Sequence, residues 1–302
     1  MFAFLIRHSL VFMFLSAVLG FALPDLSGHF FVFLPYTLFC LMTLTLLGIR
    51  QNELLRRLKK IRVWGYAFIH SAVYMLFVGC IAGLFHLDKN LQLAMVSVAA
   101  TGSLFATPAI VRALGFDSIE AMAMTIASTL LLPAAIFITL LIYHSGHISL
   151  DLTSYMSRLI IFIFGPMFFS FVIHKTIQKN TLNSILNRIS PYTILFVLAF
   201  PFGLVGSFRK LFDGNPHDAF IYLMVAVLLC CVFFIVSYWV YRKSGKEFAL
   251  TAAITSGNRN VLLTYTIAGG LLGPAFLPLA GALQIPTSLL PVVTRYLSRK
   301  IG

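Results

Sequence analysis

The chain has 302 residues, 60% of them hydrophobic and only 10% charged, with a mean hydropathy of +0.95. Soluble domains carry about 25% charged residues, so this composition argues against a soluble fold and places the chain in a bilayer. The net charge of +13 does not point to nucleic acid: Lys and Arg fall in short clusters between apolar runs, as the positive-inside rule expects, and no loop is long enough to build a basic face.

A helix crossing about 30 Å of hydrocarbon needs roughly 20 apolar residues. The pattern predicts ten such segments, at 5–23, 29–49, 63–86, 91–114, 119–143, 152–174, 190–208, 217–241, 247–267 and 273–295. Arg7 followed by the apolar run Leu10 to Leu23 has the form of a secretory signal. With a polytopic chain behind it, the segment is expected to stay as the first span. The basic connection from Arg50 to Arg62 is expected to be cytoplasmic, as a solvated turn facing lipid headgroups, which puts both termini in the cytoplasm. Arg112, Lys175, Lys179, Arg188, Arg242, Lys243, Lys246, Arg295, Arg299 and Lys300 then also lie inside. Lys89, Arg209 and Lys210 fall in outer loops, and Arg158 is expected to snorkel to the outer surface. Asp117 or Ser118 is expected to cap the fifth helix, with Glu120 in its first turn and Arg112 pairing with one of the acids. His144 and His147 straddle Gly146 at a span end and read as loop rather than as a metal pair. Pro166, Pro201, Pro274, Pro278 and Pro286 read as kinks. Cys40, Cys80, Cys230 and Cys231 all lie in apolar runs without metal-ligand spacing and read as packing residues.

Two spans are interrupted by polar residues. The fourth contains Ala99-Ala100-Thr101-Gly102-Ser103, then Ala106-Thr107-Pro108; the ninth contains Ser256-Gly257-Asn258-Arg259-Asn260. An Arg at a helix centre in lipid costs roughly 2.5–3.5 kcal/mol and usually faces a cavity, a partner or a substrate. Gly102 and Gly257 are 155 positions apart, about half the chain. The two interruptions are then equivalent members of two five-helix halves, and five being odd, the halves have opposite orientation. Inverted repeats with broken helices meeting at the midplane are characteristic of secondary transporters. Gly102 and Ser103 alone fit close helix packing equally well. Two Asn and an Arg are harder to assign to packing. His70, in mid-span near the expected crossing, is a possible proton carrier, although a hydrogen-bonded packing role is the simpler reading.

Three stretches make the chain resemble the bile acid:sodium symporter family. Leu114-Gly115-Phe116-Asp117 and Thr125-Ile126-Ala127-Ser128-Thr129-Leu130-Leu131-Leu132-Pro133 are similar to the turn before the family's fifth helix and to its Ser/Thr pattern with a terminal Pro. Ser256 to Asn260 resembles the ninth-helix motif. Gly273-Pro274-Ala275-Phe276-Leu277-Pro278-Leu279-Ala280-Gly281-Ala282 resembles the start of the tenth. The likeness implies a core domain with two crossed, broken helices and a panel domain that moves against it. It also implies an organic-anion substrate, a carboxylate or sulfonate, bound between the two, with sodium as the usual coupling ion. By position, the family's ninth-helix Glu falls on Thr255 and its Gln on Arg259. A Ser-Asn pair falls on Thr107-Pro108, a fifth-helix Ser and Thr on Ala121 and Thr125, and a third-helix Gln near His70. The oxygens of Thr107, Thr125 and Asn258 survive as ligands; the carboxylate does not. A permanent cation stands at Arg259 instead, so sodium is possible but doubtful, and Arg259 is expected to act as a built-in cation.

An intramembrane enzyme would need a nucleophile with its base, or metal ligands on facing helices, and the spacing supports neither. A sensor on the same scaffold would carry a soluble output domain, for which this sequence has no segment. The expected fold is all-α and integral to the membrane: ten transmembrane helices as two inverted five-helix repeats, about 1–145 and 150–300, in one domain spanning 1–302, with helices 4 and 9 discontinuous and crossed. The expected function is alternating-access transport of a small organic anion across the cell (inner) membrane by a monomer or weak oligomer without a cofactor. Ser103, Thr107, Ser256, Asn258, Arg259 and Asn260 are the expected substrate residues. His70, Thr107, Thr125, Thr255 and Asn258 are the ion-coupling candidates.

Overall fold

The computed structural model describes residues 9–49, 51–143, 152–189 and 192–300, and these are helical with no strand among them. Helices α1 (Ser9–Ala22) and α2 (Pro24–Phe31) meet at a bend of 107°. Proline supplies no N–H to the preceding turn and pushes Leu23 out of helical conformation, to φ −121° and ψ 66°. Helix α3 (Leu34–Leu47) follows and has 14 residues. In the described parts of the segments expected to span at 5–23 and 29–49, two 14-residue helices flank a sharply turned 8-residue one.

The remaining elements are α4 (Gln51–Leu58), α5 (Ile61–Leu84), α6 (Lys89–Ala100), α7 (Thr107–Ala113), α8 (Ser118–Tyr143), α9 (Thr153–Thr176), α10 (Lys179–Ile189), α11 (Thr193–Gly214), α12 (Pro216–Tyr241), α13 (Lys246–Gly257), α14 (Val261–Ala268) and α15 (Phe276–Lys300). Among the described residues, six helices are long and apolar enough to cross a membrane: α5, α8, α9, α11, α12 and α15. The protein is thus an all-α chain with the character of a multi-pass membrane protein. Helix α9 turns Ile160, Ile161, Phe164, Phe168, Phe169 and Phe171 outward, as a lipid-facing helix does. The segments 91–114 and 247–267 are each broken in the middle.

Most contacts fall into two sets, which also meet directly where α11 packs on α12. Helix α11 packs on α1, α2 and α3, and α9 packs on α3; α5, α6, α8, α12 and α13 pack among themselves. Helix α15 lies between, touching α1 and α11 on one side and α6, α12 and α13 on the other. Its approach to α11 depends on Gly281, where a Cβ would stand 2.7 Å from the Leu204 carbonyl oxygen.

Two sequence readings of charge are corrected. Arg209 and Lys210 are not in a loop, because α11 continues to Gly214. The Arg209 Nε donates to Asp213 at 2.7 Å one turn on, Nη1 donates to the Phe21 carbonyl, and the guanidinium covers the Phe21 ring. The basic stretch 51–62 is not simply a solvated turn. Asp117 caps α8, accepting from the N–H groups of Ile119 and Glu120. The Asp117 and Glu120 carboxylates pair with Arg57 at 2.7 and 2.5 Å, and Glu120 also pairs with Arg62 at 3.0 Å. These two arginines reach the acids because α4 folds back over the start of α8. Arg158 is exposed, with Nη1 lying against Gly269 at the end of α14. Arg7, Arg50, His144 and His147 lie outside the described residues.

Gly281→Ala forces α15 away from α11 and should lower stability by about 1–3 kcal/mol, the usual range for overpacking. Gly83→Ala, where nothing lies within 4 Å, should not. Thermal midpoints of the two purified variants in detergent check the difference.

Candidate functional site at the crossed helix breaks

Helix α6 stops at Ala100 and α7 begins at Thr107, with Pro108 in its first turn; α13 stops at Gly257 and α14 begins at Val261. The extended residues between them pair in antiparallel fashion. Ser103 and Arg259 form a single bridge, the Leu104 N–H donates to the Asn258 carbonyl at 2.9 Å, and the Asn260 N–H donates to the Gly102 carbonyl at 2.9 Å. Each break thus satisfies part of the other's backbone, as buried irregular segments require. Helix α8 supports the crossing from behind: the Ser103 N–H donates to Ser128 Oγ at 3.0 Å. A Cβ at Gly102 would lie 3.0 Å from Thr129 Cα, so glycine is needed for that approach.

Three carbonyls remain, and Arg259 takes them. Its Nη1 donates to the carbonyls of His70, Ala99 and Thr101 at 2.8, 3.0 and 3.1 Å. Each is freed by a local irregularity. In α5 the turn Ile69–Val73 is π-helical, and the Tyr74 N–H reaches back to Ile69 rather than to His70. The Ala99 carbonyl would accept from the Ser103 N–H in a continuous helix, but that N–H goes to Ser128. Thr101 lies within the break itself. The guanidinium stacks over Phe233 at 3.9 Å, with Tyr74 at 5.2 Å. Arg259 is 3% exposed, and its Nε and Nη2 have no hydrogen-bond partner.

A hydroxyl network adjoins it. Tyr66 Oη contacts His70 Nδ1 at 3.0 Å and Ser103 Oγ at 3.2 Å, and accepts from Ser256 Oγ at 3.2 Å. Ser237 Oγ donates to Ser256 Oγ at 2.6 Å and lies 2.7 Å from Tyr74 Oη. His70 Nε2 lies 3.4 Å from Ser103 Oγ. Both ring nitrogens of His70 therefore face neutral hydroxyls, with the Thr101–Gly102 backbone and Arg259 close by.

On the other side Arg259 lines a cavity of about 20 Å³, room for roughly one water. Asn258, Gln284, Thr287 and Ser288 form its polar wall; Met13, Val197, Phe200, Pro201 and Leu204, from α1 and α11, form its apolar wall. The cavity thus lies where the two sets of helices meet.

The structure brings Ser103, Ser256, Asn258, Arg259, Asn260 and His70 together at the crossing. Within that group Asn258 Nδ2 donates to the Ile254 carbonyl, and Asn260 caps α14 through the Leu263 N–H while its own Nδ2 stays unpartnered. The other candidates are placed differently. Thr125 and Thr255 donate to carbonyls one turn back in their own helices, at Ala121 and Thr251. Thr107 is buried with Oγ1 unpartnered and does not line the cavity. The sequence reading missed Tyr66, Tyr74, Ser128, Phe233, Ser237, Gln284, Thr287 and Ser288. A signal existed only for the last three, polar at helical spacing in an apolar span.

No protein-family model matches this chain, and no curated protein does.

Arg259→Ala removes the guanidinium donor that three convergent buried carbonyls share. The variant should lose about 3 kcal/mol or more, since each orphaned group costs about 1–3 kcal/mol. Its thermal midpoint should rise when sodium chloride replaces choline chloride, because a small cation can enter the cage. The wild type should show no such difference.

Proposed function

We propose that the protein is a secondary active transporter that moves a small organic anion, a carboxylate or sulfonate, across the plasma membrane by alternating access. The observation that carries this reading is Arg259. Its Nη1 is held by the fold, its Nε and Nη2 are buried and unpartnered, and the residue lines the cavity between two sets of helices. A planar N–H pair of this kind suits a carboxylate or sulfonate. A cavity shared by two helix sets is also where a rocking motion opens a site to either side. In this reading α5, α6, α7, α8, α12, α13, α14 and α15 form the core, and α1, α2, α3, α9 and α11 the panel. The chain crosses the membrane ten times as two inverted five-helix repeats, with both termini cytoplasmic. Asn258 and Asn260 assist Arg259 in binding, and Ser103 and Ser256 hold the site's shape. The arrangement fits the resemblance to bile acid:sodium symporters carried by residues 114–133, 256–260 and 273–282.

The fit fails at the coupling ion. The carbonyls of His70, Ala99 and Thr101 make the kind of oxygen cage in which unwound helices hold a cation, and here a guanidinium nitrogen sits in it. No carboxylate is paired with Arg259 among the described residues. We therefore favour sodium-independent transport, with Arg259 as the resident cation.

Purified protein in liposomes should take up an organic anion at the same rate in sodium as in choline. Strong sodium dependence would rule out the resident-cation reading; absence of flux for any carboxylate or sulfonate would rule out transport. His70→Ala should keep whatever pH dependence the wild-type rate shows, and loss of it would make His70 a proton carrier.

A further inference from the structure

We infer that this carrier is an obligatory exchanger of monovalent anions: one anion enters only as another leaves. The inference rests on the transport reading above and specifies its mode.

The argument turns on a charge that cannot leave. Arg259 is tied to three carbonyls and stacked on Phe233. Carbonyls and rings stabilise a guanidinium but do not neutralise it. Among the described residues, the ionisable groups around it are Tyr66, His70, Tyr74 and Cys230, and none of these is an acid that is negative at neutral pH by its ordinary behaviour. The acids Asp117 and Glu120 are engaged by Arg57 and Arg62. The crossing therefore keeps one positive charge, with two N–H edges uncompensated, for as long as no anion is bound.

Alternating access requires a closed state between the two open ones. With a monoanion on Nε and Nη2, the closing site is neutral and its donors are satisfied. Without one, closure strips water from an unpaired buried charge, which is strongly unfavourable. Loaded reorientation is then fast in both directions, and empty reorientation is slow. Net transport needs the empty step; exchange does not. A carrier whose cation dissociates along with its substrate avoids this constraint, since it returns empty and uncharged. A covalently tethered cation does not permit that.

The test uses the full-length protein in liposomes. The probe is whichever of radiolabelled pyruvate, hexanoate or ethanesulfonate most raises the protein's thermal midpoint. Uptake into liposomes preloaded with the same unlabelled anion is compared with uptake into liposomes without it. Preloading should accelerate uptake by about tenfold or more, and the accelerated rate should not respond to a potassium–valinomycin potential, because the loaded site is neutral. Arg259→Gln should bring the two rates together. Equal rates in the wild type overturn exchange and leave transport standing. No uptake under either loading overturns the transport reading and this inference with it. If Arg259→Gln does not fold, the potential decides: exchange that responds to voltage overturns the proposal.

Discussion

The crossing gathers three carbonyls on one nitrogen. Arg259 Nη1 donates to carbonyls from two places that sequence separates widely, His70 in one helix and Ala99 and Thr101 at the break after another. Each carbonyl is available because its own helix has failed locally, by a π-turn in α5 or by the break after α6. In hydrocarbon an unsatisfied backbone group costs several kcal/mol, so these irregularities require a donor from elsewhere in the chain. The two breaks also satisfy each other through the bonds from Leu104 to Asn258 and from Asn260 to Gly102. Removing either half would strand the other, which makes the breaks and the arginine a single structural unit.

The protein uses arginine in two opposite ways. Arg57 and Arg62 meet carboxylates at the start of α8, where side-chain exposures of 25% and 40% let water share the load. Water reaches the two guanidiniums but not Glu120, whose side chain is 3% exposed, so losing the arginines would strand a buried carboxylate. Arg259 is 3% exposed and meets only dipoles and aromatic faces. Burying a carboxylate beside it would have made a neutral, closed unit with nothing left to offer a ligand. Dipoles stabilise the charge while leaving it uncancelled, and two of its three nitrogens remain unused.

The breaks were legible because glycine, serine, asparagine and proline interrupt long apolar runs at Gly102, Ser103, Pro108 and Ser256 to Asn260. Their placement followed from the chemistry of those residues. The π-turn at Ile69–Val73 was not legible, since Ile-His-Ser-Ala-Val contains neither glycine nor proline and the widened turn is selected by what Arg259 needs across the space. Phe233 and Tyr74 were hidden for a different reason: among 30 Phe and 11 Tyr, no local pattern marks the two that lie under a guanidinium. The bend at Pro24 was missed because hydropathy averages over a window, and Leu23 and Leu26 keep that average high on both sides of the turn. The span count inherits this weakness. Helices α1, α3, α6, α7, α13 and α14 are all too short to be recognised as spans one at a time.

The charge at the crossing also bears on what the proposed substrate can be. A monoanion against Arg259 leaves a neutral pair. A dianion leaves one negative charge, and the described residues lining the cavity with Arg259 are Asn258, Gln284, Thr287 and Ser288 among apolar side chains. Neutral donors can hydrogen-bond to a second anionic group, but they do not offset its desolvation as a second cation would. Lys210 is in α11 beyond the apolar wall formed by Phe200, Pro201 and Leu204, and it does not line the cavity. The physical preference is therefore for a ligand with a single acidic group. The rest of that ligand must be compatible with Met13, Val197 and Phe200 on the opposite wall, so an apolar body suits the site better than a second polar end. This selectivity comes from the same feature that builds the crossing: one buried cation, fixed by carbonyls, with no acid of its own.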